Sequence, residues 1–290
     1  MYTDRVTKAF RDAREHKLMK GDKFVIVSDA HRGTGDTNDN FAQNQNIYFH
    51  ALSHYYDRGY TYIELGDGDE LWENKRFEPI IAEYSHIFWL LDRFYKDGRL
   101  IMLYGNHDMV KRNPAFRSAH MSELPAEPGY ESMRIFTGLD CPESLILSNE
   151  EHGKSFYLTH GHQVEPLNST FWRLARFLVR HLWRPMESLG FKQPLGTAEH
   201  RNKKETAERR LIKWCADTGK SLIAGHTHRP RFPEPGAAQY FNSGSCVHPR
   251  CITALEICYG TINLVKWAVE SGKDGTLKIA RTELASRDSN

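Results

Sequence analysis

The chain predicts an α/β fold on a largely parallel sheet, and three observations carry that expectation. Short apolar runs alternate with helical stretches through the first half. Each run ends abruptly at a Gly, Asp, Asn or His cluster. The second half then changes to strand-like runs separated by turn signals, which suggests a second sheet packed on the first.

The elements follow in order. Residues 1–20 read as a polar helix leading into the first strand. Residues 24–27, Phe-Val-Ile-Val, form a run of the kind buried in parallel sheets, and it stops at Asp29. A Gly/Asp/Asn loop covers 33–40, and 41–56 places its apolar residues on one helical face. Strand 60–65 stops at Gly66-Asp67, a strongly apolar helix follows over 78–95, and strand 100–104 stops at Gly105-Asn106-His107. Strands at 155–159 and 221–224 end at His160 and at Gly225-His226. Strands at 239–242, 252–258 and 261–269 follow, with Tyr259-Gly260 as a hairpin turn. The tail after Ala280 is polar and reads as disordered.

At 290 residues the chain can bury a large core, and 1–290 is expected to be one domain with a helical cap insertion at 168–217. A net charge of +2 argues neither for nor against an anionic partner, so steering must come from local patches. The five cysteines show no zinc-type pairing, and the N-terminus is polar rather than a signal core. No run approaches the ~20 apolar residues of a membrane span. A reducing cytoplasm is the expected location. Without a dedicated nucleic-acid module or overall basic charge, a nuclease is disfavoured.

Five motifs at strand ends carry the chemistry: Ser28-Asp29-Ala30-His31, Gly66-Asp67-Gly68-Asp69-Glu70, Gly105-Asn106-His107-Asp108, Thr159-His160-Gly161-His162 and Gly225-His226-Thr227-His228. Each alone is a plausible turn or surface loop. Together they put carboxylates, imidazoles and one amide beyond the carboxyl ends of strands, where α/β folds place ligands. So many buried charges without cations would be costly, and a two-metal hydrolytic site needs this donor set.

These motifs resemble those of the calcineurin-like metallophosphoesterase superfamily, over about residues 23–244. The resemblance implies a four-layer α/β/β/α sandwich of two mixed sheets with a helical insertion near the active site. It implies one divalent cation on Asp29, His31, Asp67 and His228, and a second on Asp67, Asn106, His160 and His226. It further implies a phosphohydrolase that cleaves a phosphoester or pyrophosphate bond by in-line attack of a metal-bridging hydroxide, acting as a phosphatase or phosphodiesterase. His107 matches the family's general acid, oriented by an acidic partner; Glu70 is the candidate, with Asp69 competing. Arg32 is expected either to contact a substrate phosphate or to form a salt bridge with a neighbouring acid. His162 is not expected to be a ligand, and Asn242-Ser243-Gly244-Ser245 resembles the family's closing turn near the site. Manganese is the expected metal because oxygen ligands are prominent, with iron, zinc or cobalt as alternatives.

The insertion is the expected source of specificity. Phe171, Leu174, Leu178 and Leu182 share one helical face, and Arg173, Arg176, Arg180 and Arg184 another. The plain reading is a cap helix with a solvated basic face. The functional reading is attraction of a phosphorylated small molecule or lipid-linked phosphate, with peripheral contact to the inner membrane face. The stretch Gly66 to Trp72 and the insertion are similar to UDP-2,3-diacylglucosamine pyrophosphatases, which carry Arg where this chain has His107. A lipid-linked nucleotide pyrophosphatase is therefore the alternative function. A non-catalytic protein-binding scaffold is the alternative from another class.

Overall fold

The computed structural model of the chain describes residues 2–124, 131–149, 154–169, 171–172, 177–179, 197–258 and 260–288. Side-chain alternation decides its layering. Strands β2 (Lys23–Val27), β3 (Thr61–Leu65) and β4 (Leu100–Leu103) are parallel neighbours. Phe24, Ile26, Ile63, Leu65, Ile101 and Leu103 point into one core, and Val25, Val27, Tyr62, Leu100 and Met102 into another. Successive strand residues face opposite sides, so continuous apolar runs are what a sheet buried on both faces requires. Helices α2 (Gln45–Asp57) and α4 (Ser85–Lys96) close the second core with Ile47, Tyr48, Ala51 and Leu52 and with Ile87, Phe88, Leu91 and Phe94, at helical spacing.

The other sheet runs in the order β1-β7-β8-β9-β10. Its strands are β1 (Arg14–Lys17), β7 (Ser144–Asn149), β8 (Lys154–Thr159), β9 (Ser221–Ala224) and β10 (Tyr240–Asn242). Leu145, Leu147, Phe156, Leu158, Ile223 and Phe241 face the first sheet. On the outer side, α1 (Thr3–Ala9) and α7 (Thr197–Thr218) bury Val6, Ala207, Leu211, Trp214 and Cys215 against Leu222, Ala224 and Tyr240. Helix, sheet, sheet and helix make the four layers that the sequence led us to expect. Short elements complete the description: helices α3 (Glu78–Glu83), α5 (Pro114–His120) and α6 (Pro166–Ser169), and a hairpin of β5 (Glu123–Leu124) and β6 (Met133–Arg134). Among the described residues no helix is long and apolar enough to cross a membrane.

Several expectations need correction. Residues 1–20 hold the short α1 and then β1, which pairs parallel with β7; strand 144–149 was not anticipated. The helix expected over 78–95 is two helices, broken at Tyr84 (φ −109°, ψ 34°), whose hydroxyl donates to Asp39. Of the strands expected in the second half, 155–159, 221–224 and 239–242 do join the second sheet, but those from Cys251 on do not. Antiparallel β11 (Cys251–Cys258), β12 (Thr261–Ser271) and β13 (Leu277–Asp288) extend the first, in the order β13-β12-β11-β2-β3-β4. The tail after Ala280 is therefore ordered as β13, held by backbone pairing to β12 from Thr261–Asp288 to Ser271–Leu277. An edge strand bonded on one side tolerates polar side chains, which is why composition misread it. Tyr259 of the expected turn lies outside the described residues, as do Arg173, Leu174, Arg176, Arg180, Leu182 and Arg184 of the insertion.

Candidate metal centre

The carboxyl ends of β2, β3 and β4 from one sheet meet those of β8 and β9 from the other. Directly beyond them lie Asp29 and His31, Asp67 and Glu70, Asn106 and His107, His160, and His226 and His228. The chain turns sharply at each end. Asp29, His31, Asp67, His226 and His228 all adopt positive φ, between 49° and 67°. L-residues enter that left-handed region at a cost of about 1–2 kcal/mol each, so the packing around these loops must over-determine them. Gly105 is required by close approach: a Cβ there would overlap Asp67 Oδ1 and lie 2.6 Å from the Asp67 backbone nitrogen.

Hydrogen bonds then aim one face of each side chain inward. Asp29 Oδ2 accepts from Ser28 Oγ (2.6 Å) and from the His226 N–H (2.9 Å), which leaves Oδ1. Asp67 Oδ1 accepts from the His107 N–H (2.8 Å), which leaves Oδ2. His160 donates from Nδ1 to the Leu65 carbonyl (3.0 Å) and His31 from Nδ1 to Glu70 (3.0 Å), so each presents Nε2. His226 instead donates from Nε2 to Glu165 (2.9 Å) and presents Nδ1. The freed atoms converge. Asp67 Oδ2 is 3.1 Å from His160 Nε2 and 3.8 Å from His31 Nε2, while His228 Nε2 is 3.1 Å from Asp29 Oδ1. Donors within 4.8 Å of one another form two groups joined by a third: Asp29, His31 and His228, and Asp67, His160 and His226, with His31, Asp67 and His107 between them.

The residues fit cations. Asp29 Oδ1, Asn106 Oδ1 and His160 Nε2 are buried polar atoms without a hydrogen-bond partner, although each lies in the cluster. Such orphans are expensive unless something outside the protein completes them. The electrostatics agree. Burial penalises the charge of His160, yet Asp67 and Asp29 outweigh it and hold the imidazole up at about 9. His31 is raised despite its burial, through Asp29 and Glu70. In metal-free protein, protons on these rings supply the positive charge that the carboxylates demand. His228 is pushed down to about 4, by burial first and then by its cationic neighbours, which leaves it a neutral imidazole suited to ligation.

Around this cluster sit groups that the motifs did not all announce. Glu70 accepts from His107 Nδ1 (2.8 Å) as well as from His31, and so orients both rings. Asp69, the competing candidate, is committed elsewhere. Trp72 stacks on His107 with centroids 4.3 Å apart and fixes the ring plane. Glu165, five residues beyond His160, is the partner of His226 and was missed; a carboxylate shortly after a ligand histidine was its only signal. Asp108 accepts from the backbone N–H groups of Asp67, Gly68 and Gly105, tying two ligand loops together.

Arg32 is a correction. Its side chain is 0% exposed, with Nε 2.7 Å from Asp69 and a terminal nitrogen 2.8 Å from Glu64. With its donors engaged and no accessible surface it cannot meet a substrate phosphate, and the salt-bridge alternative is what the structure shows. Lys111, equally buried, adds contacts of 2.5 Å to Asp69 and 2.7 Å to Asp108. Glu64, Asp69 and Asp108 form another cluster of potential donors, but these two cations already fill it. His162 is buried beside His160 and lies in none of the donor groups. Ser243 of the closing turn pairs with Ser28, and Asn242 donates to the Gly225 carbonyl, so the turn braces two ligand loops.

The cluster floors a pocket of about 480 Å³, walled by the 33–40 loop, by Trp72 to Asn74, by Glu165 and Asn168, and by Lys203 and Lys204 of α7. Burial pushes the Lys204 ammonium below the usual lysine range, against Asp29, Glu208 and Glu165, which draw it back up.

A family model described as calcineurin-like phosphoesterase matches residues 22–230. No curated protein matches the chain. Vacuolar protein sorting 29 from Cryptosporidium parvum is a similar solved structure, at 14% identity and a TM-score of 0.43 over 92% of this chain and 100% of that one. Chaetomium thermophilum Vps29 is another, at 10% identity and a TM-score of 0.41 over 94% and 100%.

Proposed function

The chain belongs to the calcineurin-like phosphoesterase family, and from that premise we propose that it is a dinuclear metal-dependent phosphohydrolase. Asp29, His31, Asp67 and His228 would hold one divalent cation, and Asp67, Asn106, His160 and His226 the other. The observation that carries this reading is the set of buried polar atoms without a hydrogen-bond partner at these strand ends, Asp29 Oδ1 and His160 Nε2, 3.9 Å apart, and Asn106 Oδ1. When bound, the cations supply an activated water near neutral pH and neutralise phosphoryl oxygens. Manganese is the metal we favour, with iron, zinc or cobalt as alternatives.

The protein's own groups do the rest. Glu70 engages His107 Nδ1 and Trp72 locks the ring. Nε2 is thereby left to hold the proton that passes to the departing oxygen. Glu70 is a positioning residue, not a group in contact with substrate. The walls of the pocket orient the substrate. The whole chain acts as one domain, in which the 168–217 insertion contributes a wall through α7.

A lipid-linked diphosphate is the second reading of the substrate. What favours it is the exposure of Phe171 (55%), Phe177 (58%) and Leu178 (44%) within the insertion, an apolar surface suited to acyl chains.

The test is phosphate release by manganese-loaded protein from aryl monoesters, aryl diesters and nucleotide-diphosphate lipids, with and without chelator. Chelator-sensitive turnover is expected, and the preferred class identifies the substrate. Asp67→Asn should abolish turnover and cut metal content, since it removes the charge between the two donor groups. Full activity of that variant would sink the assignment. His107→Ala should keep its metals while the rate falls by about 10²–10⁴-fold.

A further inference from the structure

The pocket over the donor cluster has an uneven charge. Its wall carries Asp36, Asp39, Glu73 and Glu165, and the only lysine or arginine side chains among the described lining residues are Lys203 and Lys204. An anion entering this pocket meets carboxylates on most sides and cationic side chains on one.

Lys204 is held there by the fold. Lys204, Glu208, Leu211 and Cys215 recur at helical spacing along α7, and the last three are buried against the sheet. The same face that packs α7 on the molecule therefore emerges, one turn earlier, into the pocket. The helix is pinned over the turns that follow that point. Trp214 donates to Thr7 (2.9 Å), Arg210 donates to the Val164 carbonyl (2.8 Å), and Glu208 accepts from Thr227 between His226 and His228 (3.2 Å). Lys204 is half-buried, and among the described residues no ion pair ties it to a carboxylate. Lys213 on the same helix is bonded to Asp217.

Position separates its task from that of His107. The charges acting on Lys204 are those of Asp29, Arg229, Glu208 and Glu165, the groups around His226 and His228. Those acting on His107 are Glu70, Asp67 and His31. Lys204 and His107 both line the pocket over the cluster.

We propose that Lys204 binds a non-bridging oxygen of the substrate phosphate and so selects groups carrying two negative charges over singly charged phosphodiesters. This inference rests on the phosphohydrolase reading above. A lysine contact to phosphate acts as a point charge, so its value rises with the charge of its partner.

The experiment uses the full-length, manganese-loaded chain with Lys204→Met, Lys204→Arg and, as a control on the same helix, Lys213→Met. Inorganic phosphate binding is titrated calorimetrically, metal content is measured, and KM and kcat are read on p-nitrophenyl phosphate and bis(p-nitrophenyl) phosphate. Lys204→Met should weaken phosphate binding and raise the monoester KM by about ten-fold, the loss of one charge-assisted hydrogen bond. The diester KM should move by less than about two-fold, since that substrate lacks the second charge. Lys204→Arg should restore most of the affinity, Lys213→Met should change nothing, and metal content should be equal throughout. Equal losses on both esters, an unchanged phosphate affinity, the same loss in Lys213→Met, or no phosphate binding by the wild type would overturn the proposal. Because phosphate binding is read without turnover, the two failures are distinguishable: an inactive wild type would sink the hydrolase reading and with it the selectivity, whereas an active enzyme whose phosphate affinity and monoester KM ignore Lys204→Met would overturn this proposal alone.

Discussion

Glu70 serves two histidines with different tasks. One oxygen pair engages His31, which faces the donor cluster, and His107, which faces the pocket. Carboxylate partners of this kind fix the ring and raise its basicity. Glu70→Gln keeps the size but loses the charge, so it should weaken metal binding by about 10–100-fold as well as lower kcat. A competition titration against a fluorescent chelator checks the first effect; unchanged affinity would confine Glu70 to His107. The histidine protons give a pH prediction. His160 keeps its proton up to about 9 in metal-free protein, yet must be neutral to ligate. Metal affinity should therefore fall as the pH drops below 9, and binding at pH 7 should release protons, measurable by calorimetry in buffers of different ionisation enthalpy. The stability linkage has the opposite sense: the raised value stabilises the metal-free fold fully below pH 6.5, and this increment is lost as the pH rises through about 9.

At the scale of elements, the strand ends are supported by charges beneath them. Arg32 and Lys111 carry two positive charges among Glu64, Asp69 and Asp108, all of them buried. Removing one partner of such a network leaves charge without compensation and typically costs about 3–5 kcal/mol. Lys111→Met should show that loss in chemical denaturation, together with reduced metal content, because Asp108 carries the loops of Asp67 and Gly105. An unchanged denaturation midpoint would mean that the network does not support the fold. Helix α7 is held by packing instead. Leu211→Ala should cost about 2–5 kcal/mol and, by loosening the helix that presents Lys204, raise KM for a phosphomonoester.

At the scale of the molecule, the two sheets are joined at the site itself, since Asp29, Asp67 and Asn106 come from one and His160, His226 and His228 from the other. Cations held between them would tie the layers together. A ligand at a hundred times its Kd adds about 2.7 kcal/mol, which for a chain of this size corresponds to a shift of roughly 4–5 °C in Tm. Chelation should lower Tm by that amount in differential scanning fluorimetry, and re-addition of manganese should restore it. A Tm indifferent to chelator would mean that no metal bridges the sheets.

The strands that bear the motifs and the pairing of motifs with strand ends were legible in the sequence, because a run buried on both faces must be continuously apolar and must stop where polar donors begin. The sequence also carried the identity of the candidate donors, since metal-seeking side chains at successive strand ends are rare by chance. Other features took shape only in three dimensions. The left-handed backbone of Asp29 and His31 depends on packing between loops distant in sequence. The burial of Arg32 depends on Glu64 and Asp69 lying on the neighbouring strand and its loop. The order of β13 comes from backbone hydrogen bonds, to which side-chain composition is nearly blind. Lys204 reaches the pocket because α7 docks with one particular face inward. Local patterning determines which segments are buried and what chemistry they carry, whereas charge pairing and long-range contacts decide which of those groups face the substrate.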